Sequence, residues 1–281
     1  MSITLYGKPV TEAIQEDIIK RVAALKEKNI KPKLAILRAG ERLDDTAYEN
    51  RVLKICMALG IDFQVKVTAR TIPQELFEEQ LIKLNNDPDI HGILVFRPLP
   101  EQIDEDRICS LIDPSKDIDC MNSENLKKVF IGDKSRISPC TPEAVIAILK
   151  HYNYDLTGKN VVIVNRSLVL GKPLAMLFME ENATVTVCHS RTKDLPSITR
   201  EADIVVTGIG RAGFFGPEYF SEKNTVIDVG INFVEDKMCG DVVYDEAAET
   251  VEAITPVPGG VGIVTSTILL RHLVESAEAR A

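Results

Sequence analysis

The 281-residue sequence contains no tryptophan, only 5 % aromatic residues, and no Lys/Arg-rich run among its 33 basic residues. With 42 acidic residues and a net charge of −9, it lacks the broad cationic face that nucleic acid requires, although a local basic pocket is compatible with that balance. No apolar run approaches the roughly 20 residues of a membrane-spanning helix. The opening MSITLYGKPV has the profile of neither a signal nor a transit peptide. The expectation is a soluble, cytoplasmic protein with neither a membrane nor a nucleic-acid partner. Cys56, Cys109, Cys120, Cys140, Cys188 and Cys239 include no CxxC pair, which predicts reduced thiols and no zinc site. Cys140 and Cys188 read as small buried hydrophobes. The turn at residues 165–171 lacks the dinucleotide fingerprint GxGxxG, so a nucleotide site there must be argued from other residues.

What is present is organised around residues 161–192. Val161, Val162, Ile163 and Val164 form a β-branched run suited to a parallel strand covered on both faces. Residues 165–171 turn the chain, and Pro173 stands where a helix can begin. Leu174, Leu177 and Phe178 then fall at helical spacing, and a second β-rich run starts at Ala183. Such a βαβ unit places unpaired N–H groups and the positive end of a helix dipole at the turn, where a phosphate can bind. Arg166 and Ser167 add donors. A plain βαβ crossover is the competing reading of the same residues.

Upstream, residues 11–29 place Ile14, Ile18, Val22 and Leu25 on one helical stripe. Strands are expected at 34–37, 62–68 and 92–96, with helices at 44–59 and 73–85, a βαβαβ alternation that signifies an α/β layer. Pro114-Ser115-Lys116-Asp117-Ile118-Asp119 is a loop able to aim a carboxylate into a cleft; an ordinary solvated turn is its alternative. Ser138-Pro139-Cys140-Thr141-Pro142 reads as a hinge before a helix at 143–152, giving a domain of residues 1–139 and a second of 140–264. A helix from Thr265 to the end is expected to return to the first domain. Further strands at 202–207 and 225–229 are followed by Gly208 and Gly210 and by Gly230, as expected where a ligand meets the carboxyl ends of parallel strands. Turn formation alone is the alternative reading of these glycines. Residues 255–262, TPVPGGVG, form a rigid glycine-rich loop before the last helix.

The blocks PSKDID, PCTP, NRSLVLGKP, NATVTVCHSRT, ADIVVTGIG, VIDVGIN and TPVPGGVG, in this order, closely resemble the methylenetetrahydrofolate dehydrogenase/cyclohydrolase family over nearly the whole chain. The resemblance implies two α/β domains with a cleft between them. The first would bind folate, and the second would be a Rossmann-like, doubly wound parallel sheet for a nicotinamide dinucleotide. It also implies a homodimer and a role in one-carbon metabolism serving purine biosynthesis. Residue by residue, Tyr48 matches the tyrosine that stacks on the folate ring, and Asp119 the acid that bonds the pterin's amino edge; these two are the expected catalytic pair. Pro258, Gly259 and Gly260 match the loop that packs on folate and nicotinamide. Arg166 and Ser190 match contacts to an adenosine 2′-phosphate, which a guanidinium and a hydroxyl suit chemically. Asn165, Ser167, Gly171, His189, Gly208, Gly210, Gly230 and Asn232 complete the expected cofactor set.

Two positions depart from the family. Its lysine, four residues after the tyrosine, is Val52 here, and its glutamine, which opens a QLPLP block, is Phe96. Hydride transfer from the methylene carbon asks the protein mainly for positioning, whereas hydrolysis of the methenyl product asks for activated water and proton movement. The sequence therefore predicts oxidation of 5,10-methylenetetrahydrofolate with cyclohydrolase activity lost or very weak. Arg51 and Arg97 are poor general bases, and Lys54 faces elsewhere on the helix. The cofactor reading is NADP. NAD stays open because Asn165 stands where most members carry glycine. A bifunctional enzyme with a rerouted base, a non-catalytic folate or nucleotide sensor, and another Rossmann oxidoreductase such as a shikimate dehydrogenase-like protein are the remaining readings.

Overall fold

A computed structural model describes residues 2–281. From the N-terminus, β1 (Ile3–Thr4) and α1 (Gly7–Glu27) precede β2 (Lys33–Ala39), α2 (Leu43–Leu59), β3 (Asp62–Thr68), α3 (Gln74–Asn86) and β4 (Gly92–Val95). Two short helices follow, α4 (Glu105–Leu111) and α5 (Ser123–Ile131). Then come α6 (Cys140–His151), β5 (Asn160–Val164), α7 (Gly171–Glu180), β6 (Thr184–Cys188), α8 (Leu195–Glu201), β7 (Ile204–Thr207) and β8 (Thr225–Asp228). A hairpin of β9 (Asn232–Val234) and β10 (Lys237–Cys239), then α9 (Tyr244–Thr250), β11 (Ala253–Ile254) and α10 (Val261–Glu278), complete the chain.

The chain divides into two α/β units. One comprises Ala13–Ser138 with Ser266–Ala281, and the other the residues up to Glu12 with Pro139–Thr265. The first holds a parallel three-stranded sheet ordered β3-β2-β4. Its core joins Leu37, Phe77, Leu81, Ile93, Val95 and Ile108, each almost fully buried. Side chains of this kind contribute about 1.5–3 kcal/mol apiece when removed from water. The expected stripe on α1 is present, with Ile18, Val22 and Leu25 buried, and Arg21 pairs with Glu278 of α10.

The second unit is a parallel six-stranded sheet ordered β1-β11-β8-β7-β5-β6. The order turns back at β5, the doubly wound pattern whose switch point is a usual ligand position. Leu174 and Phe178 of α7 are fully buried, and Leu177 nearly so. The chain's first residues belong here because Ile3 N–H donates to Glu252 O at 2.8 Å and Leu5 N–H to Ile254 O at 2.9 Å. The sequence instead predicts them in the first domain, because two strand residues give no periodicity that would reveal the pairing.

Several helices begin earlier than the pattern suggests. α1 starts at Gly7, α6 at Cys140 and α10 at Val261, because proline in a first turn loses no hydrogen bond and glycine leaves no side-chain signal. All six cysteines are free thiols, and burial pushes Cys56 up to about 12 and Cys109 to about 11, away from the reactive thiolate. No helix among the described residues is long and apolar enough to cross a membrane.

Lys116 closes the first unit from within. Its buried ammonium donates to the carbonyls of Leu84, Asn85 and Asp87 at 3.2, 2.6 and 2.6 Å, capping the C-terminus of α3. Replacing Lys116 by Met keeps the stem and strands these carbonyls. We expect a loss of about 2–3 kcal/mol in urea denaturation followed by circular dichroism.

Candidate active site

In the first unit, α2 carries Tyr48 and Val52 one turn apart. The Tyr48 ring lies 5.5 Å from the ring of Phe96, tilted by 48°. Phe96 follows β4 directly and is 7 % exposed, and Val52 is 0 % exposed. Positions 52 and 96 are therefore buried hydrocarbon, with the Phe96 ring beside the tyrosine. Glu49, next to Tyr48, turns inward to a buried ion pair with Arg38 of β2 at 2.7 Å, and Arg38 also donates to Gly40 O. This pair fixes the rotation of α2. Arg97 meets Glu105 at 3.3 Å, while Arg51 and Lys54 are exposed.

Asp119 is half-buried on a loop held from several sides. Ile93 N–H donates to Lys116 O at 2.8 Å, and the His272 ring bonds Ile118 O at 2.9 Å. Asp117 accepts from Met121 N–H, Asn122 N–H and the Asn125 amide at 2.9, 2.8 and 2.9 Å. Burial still pushes the Asp117 carboxyl above the usual range. The two acids of PSKDID thus divide: Asp117 builds the loop, and Asp119 is the one left outward of it.

In the second unit, Asn165 occupies the turn between β5 and α7. Its Oδ1 accepts from Ser167 N–H, Ser167 Oγ and Gly171 N–H at 2.7, 2.7 and 3.0 Å, and its Nδ2 donates to Gly208 O at 2.5 Å. Ser167 Oγ accepts from Leu170 N–H at 3.2 Å. The helix-start donors expected to receive a phosphate are thus engaged by the chain's own side chains. Gly171 is required here because a Cβ would overlap the Asn165 carbonyl. Arg166 and Ser190 remain exposed on this turn and after β6. His189 folds back, its Nδ1 accepting from Arg191 N–H at 3.2 Å and its own N–H reaching Thr192 Oγ1 at 2.9 Å.

Pro258, Gly259 and Gly260 form the loop before α10, with Gly259 in the left-handed region at φ 103°. Gly259 O accepts from Gly7 N–H at 2.8 Å.

Two acids carry no sequence expectation: Asp228, which ends β8, and Asp241, which follows the hairpin and meets the loop after β7. Asp228, 3 % exposed, accepts from Thr207 Oγ1, Gly230 N–H, Asp241 N–H and Val242 N–H at 3.2, 2.9, 3.2 and 2.9 Å. Asp241, 0 % exposed, accepts from Ile209, Gly210 and Arg211 N–H and from the Asn232 amide. Gly230 and Asn232 therefore serve these carboxyls directly. The only available signal was acidic residues inside apolar strand-and-turn blocks, VIDVG and GDVV.

These residues define a two-unit α/β protein whose second unit is built as a nucleotide-binding sheet. The chain matches the model for the tetrahydrofolate dehydrogenase/cyclohydrolase catalytic domain over residues 5–119 and that for the NAD(P)-binding domain over residues 139–281. It is 54 % identical over 279 residues to a "Bifunctional protein FolD" of Clostridium botulinum, covering 99 % of each chain. The bifunctional FolD methylenetetrahydrofolate dehydrogenase/cyclohydrolase of Campylobacter jejuni superposes with a TM-score of 0.97 at 37 % identity over the whole of both chains. The Trypanosoma brucei FolD enzyme, solved with NADP and an inhibitor, superposes at 0.94 with 35 % identity, covering 99 % of this chain and 98 % of that one. The protein belongs to the tetrahydrofolate dehydrogenase/cyclohydrolase family.

Burial, with Asp241 adding repulsion, pushes Asp228 from 3.8 up to about 6 against the donors that favour its ionised form. The folded state then holds a proton that the unfolded chain has already lost. The contribution is full below about pH 4 and fades as pH rises through about 6. Denaturation between pH 4 and 7 should show that Asp228→Asn removes this slope relative to the unaltered protein.

Proposed function

We propose that the protein oxidises 5,10-methylenetetrahydrofolate to the methenyl form with NADP, and that it has lost most or all hydrolysis of that product. The carrying observation is the pairing of a wholly buried Val52 with Phe96 packed at 5.5 Å on Tyr48. Tyr48 would stack on the folate ring, and the Asp119 carboxylate would accept from its amino edge. Pro258, Gly259 and Gly260 would supply close backbone contact. When bound, the nicotinamide dinucleotide supplies the hydride acceptor. The chain's part is alignment and exclusion of water, which hydrocarbon at positions 52 and 96 favours. Hydrolysis gains nothing from those side chains, since neither can move a proton.

Arg166 and Ser190 support NADP, because both are exposed and chemically suited to a 2′-phosphate. Asn165, whose side chain is committed to the turn and to Gly208, would act on the cofactor through loop shape. Ser167 and Gly171 would hold this turn, and His189 the one after β6, around the nucleotide. We read the protein as a cytoplasmic homodimer of one-carbon metabolism.

A second reading, hydrolysis through another group, is favoured by the bifunctional name of the Clostridium botulinum relative. One assay separates the two: methenyltetrahydrofolate without nucleotide, followed by its absorbance. Decay at the buffer rate is expected. Enzymatic turnover abolished by Arg97→Ala would overturn the loss and place a rerouted group near position 97.

Initial rates with each nucleotide at equal concentration should favour NADP. Arg166→Ala should lower kcat/KM for NADP by about tenfold to a hundredfold, the weight of one charge-assisted contact, and leave NAD nearly unchanged. A native preference for NAD would overturn the cofactor assignment.

A further inference from the structure

Three consecutive N–H groups converging on one point form an anion-receiving concavity. After β7, Ile209, Gly210 and Arg211 make one, and it is filled from inside the chain by the Asp241 carboxylate. Oδ2 accepts from Ile209 and from Gly210 at 3.1 Å, while Oδ1 accepts from Arg211 at 2.8 Å and from the Asn232 amide at 2.9 Å. The backbone of Asp241 donates in turn to Asp228 at 3.2 Å, and a Cβ on Gly230 would overlap the Asp241 carboxyl. Three separate pieces of chain, the loop after β7, the end of β8 and the hairpin, thus meet at one buried acid.

The loop is pinned at its other points as well. Gly208 O accepts from Asn165, and the Arg211 guanidinium lies 4.8 Å over the ring of Phe214. Its N–H groups are consequently spent, and it can meet a ligand only as a preformed surface. That surface sits on the same carboxyl edge of the same sheet as Arg166, joined to it through Asn165.

We infer that Asp241, oriented by Asn232, is a positioning residue for nucleotide binding: it holds Gly208–Arg211 in the shape that accepts the dinucleotide, and does so without touching it. This rests on the nucleotide reading given above. A preformed surface improves affinity by removing the ordering cost from the binding step.

The test uses the full-length protein, with calorimetric titration of NADP and steady-state kinetics on Asp241→Asn and Asn232→Ala. Asp241→Asn turns an amide N–H2 toward backbone donors. It should raise the nucleotide Kd and KM by about tenfold or more, the loss of a charge-assisted acceptor. Folate KM should stay within about twofold and kcat at saturating nucleotide within about threefold, the pattern of lost uniform nucleotide binding. Asn232→Ala should give a smaller shift in the same sense. A parallel decline of folate KM, nucleotide KM and kcat would mean general loosening and would overturn the inference, as would unchanged nucleotide binding. If Asp241→Asn fails to fold, Asn232→Ala decides: an unchanged nucleotide KM refutes the role. Nucleotide binding by the unaltered protein that Arg166→Ala weakens upholds the site reading whatever the Asp241 result. Absence of any binding removes both.

Discussion

Loops at the carboxyl edge of a parallel sheet end in backbone N–H groups that must find acceptors. In this chain the acceptors are its own side chains. Asn165 answers for the turn after β5, Asp241 for the loop after β7, and Asp228 for the turn after β8. Each is short, rigidly placed and almost wholly engaged, so the edge is settled before any ligand arrives. The buried acids are tolerable because every lone pair faces a donor, which a half-satisfied network would not permit.

The first unit solves a different problem. There Phe96, just past β4, packs its ring against that of Tyr48 on α2, Val52 is fully buried one turn further along that helix, and charges are held in the Arg38–Glu49 pair and in the Lys116 cap. Hydrocarbon at positions 52 and 96 excludes water and offers no proton-exchanging group.

Much of this was legible in sequence because it depends on local pattern. The parallel strands announced themselves as β-branched runs, the α2 stop as Gly60 in the left-handed region at φ 68°, and the turn at residues 165–171 as a strand followed by Gly and Pro. What was not legible depends on partners far away in the chain. Asp228 and Asp241 look like ordinary turn acids until β7 and β8 are side by side. The four hydrogen bonds of Asn165 inside the fold, one of them to Gly208, leave no trace in the local pattern around it. The strand at Ile3–Thr4 is too short for any periodicity to show.

That short strand has an effect on how the protein can be made. Its register partner Ala253 lies 250 residues further along than Ile3, and the first unit in turn needs Ser266–Ala281. Each unit is therefore closed by chain from the opposite terminus, and the entropy of closing such loops grows only slowly with their length. During synthesis the second unit cannot be finished until β11 has emerged, nor the first until α10 has. A nick before Pro139 would leave two fragments, each holding a piece of the other's sheet or core.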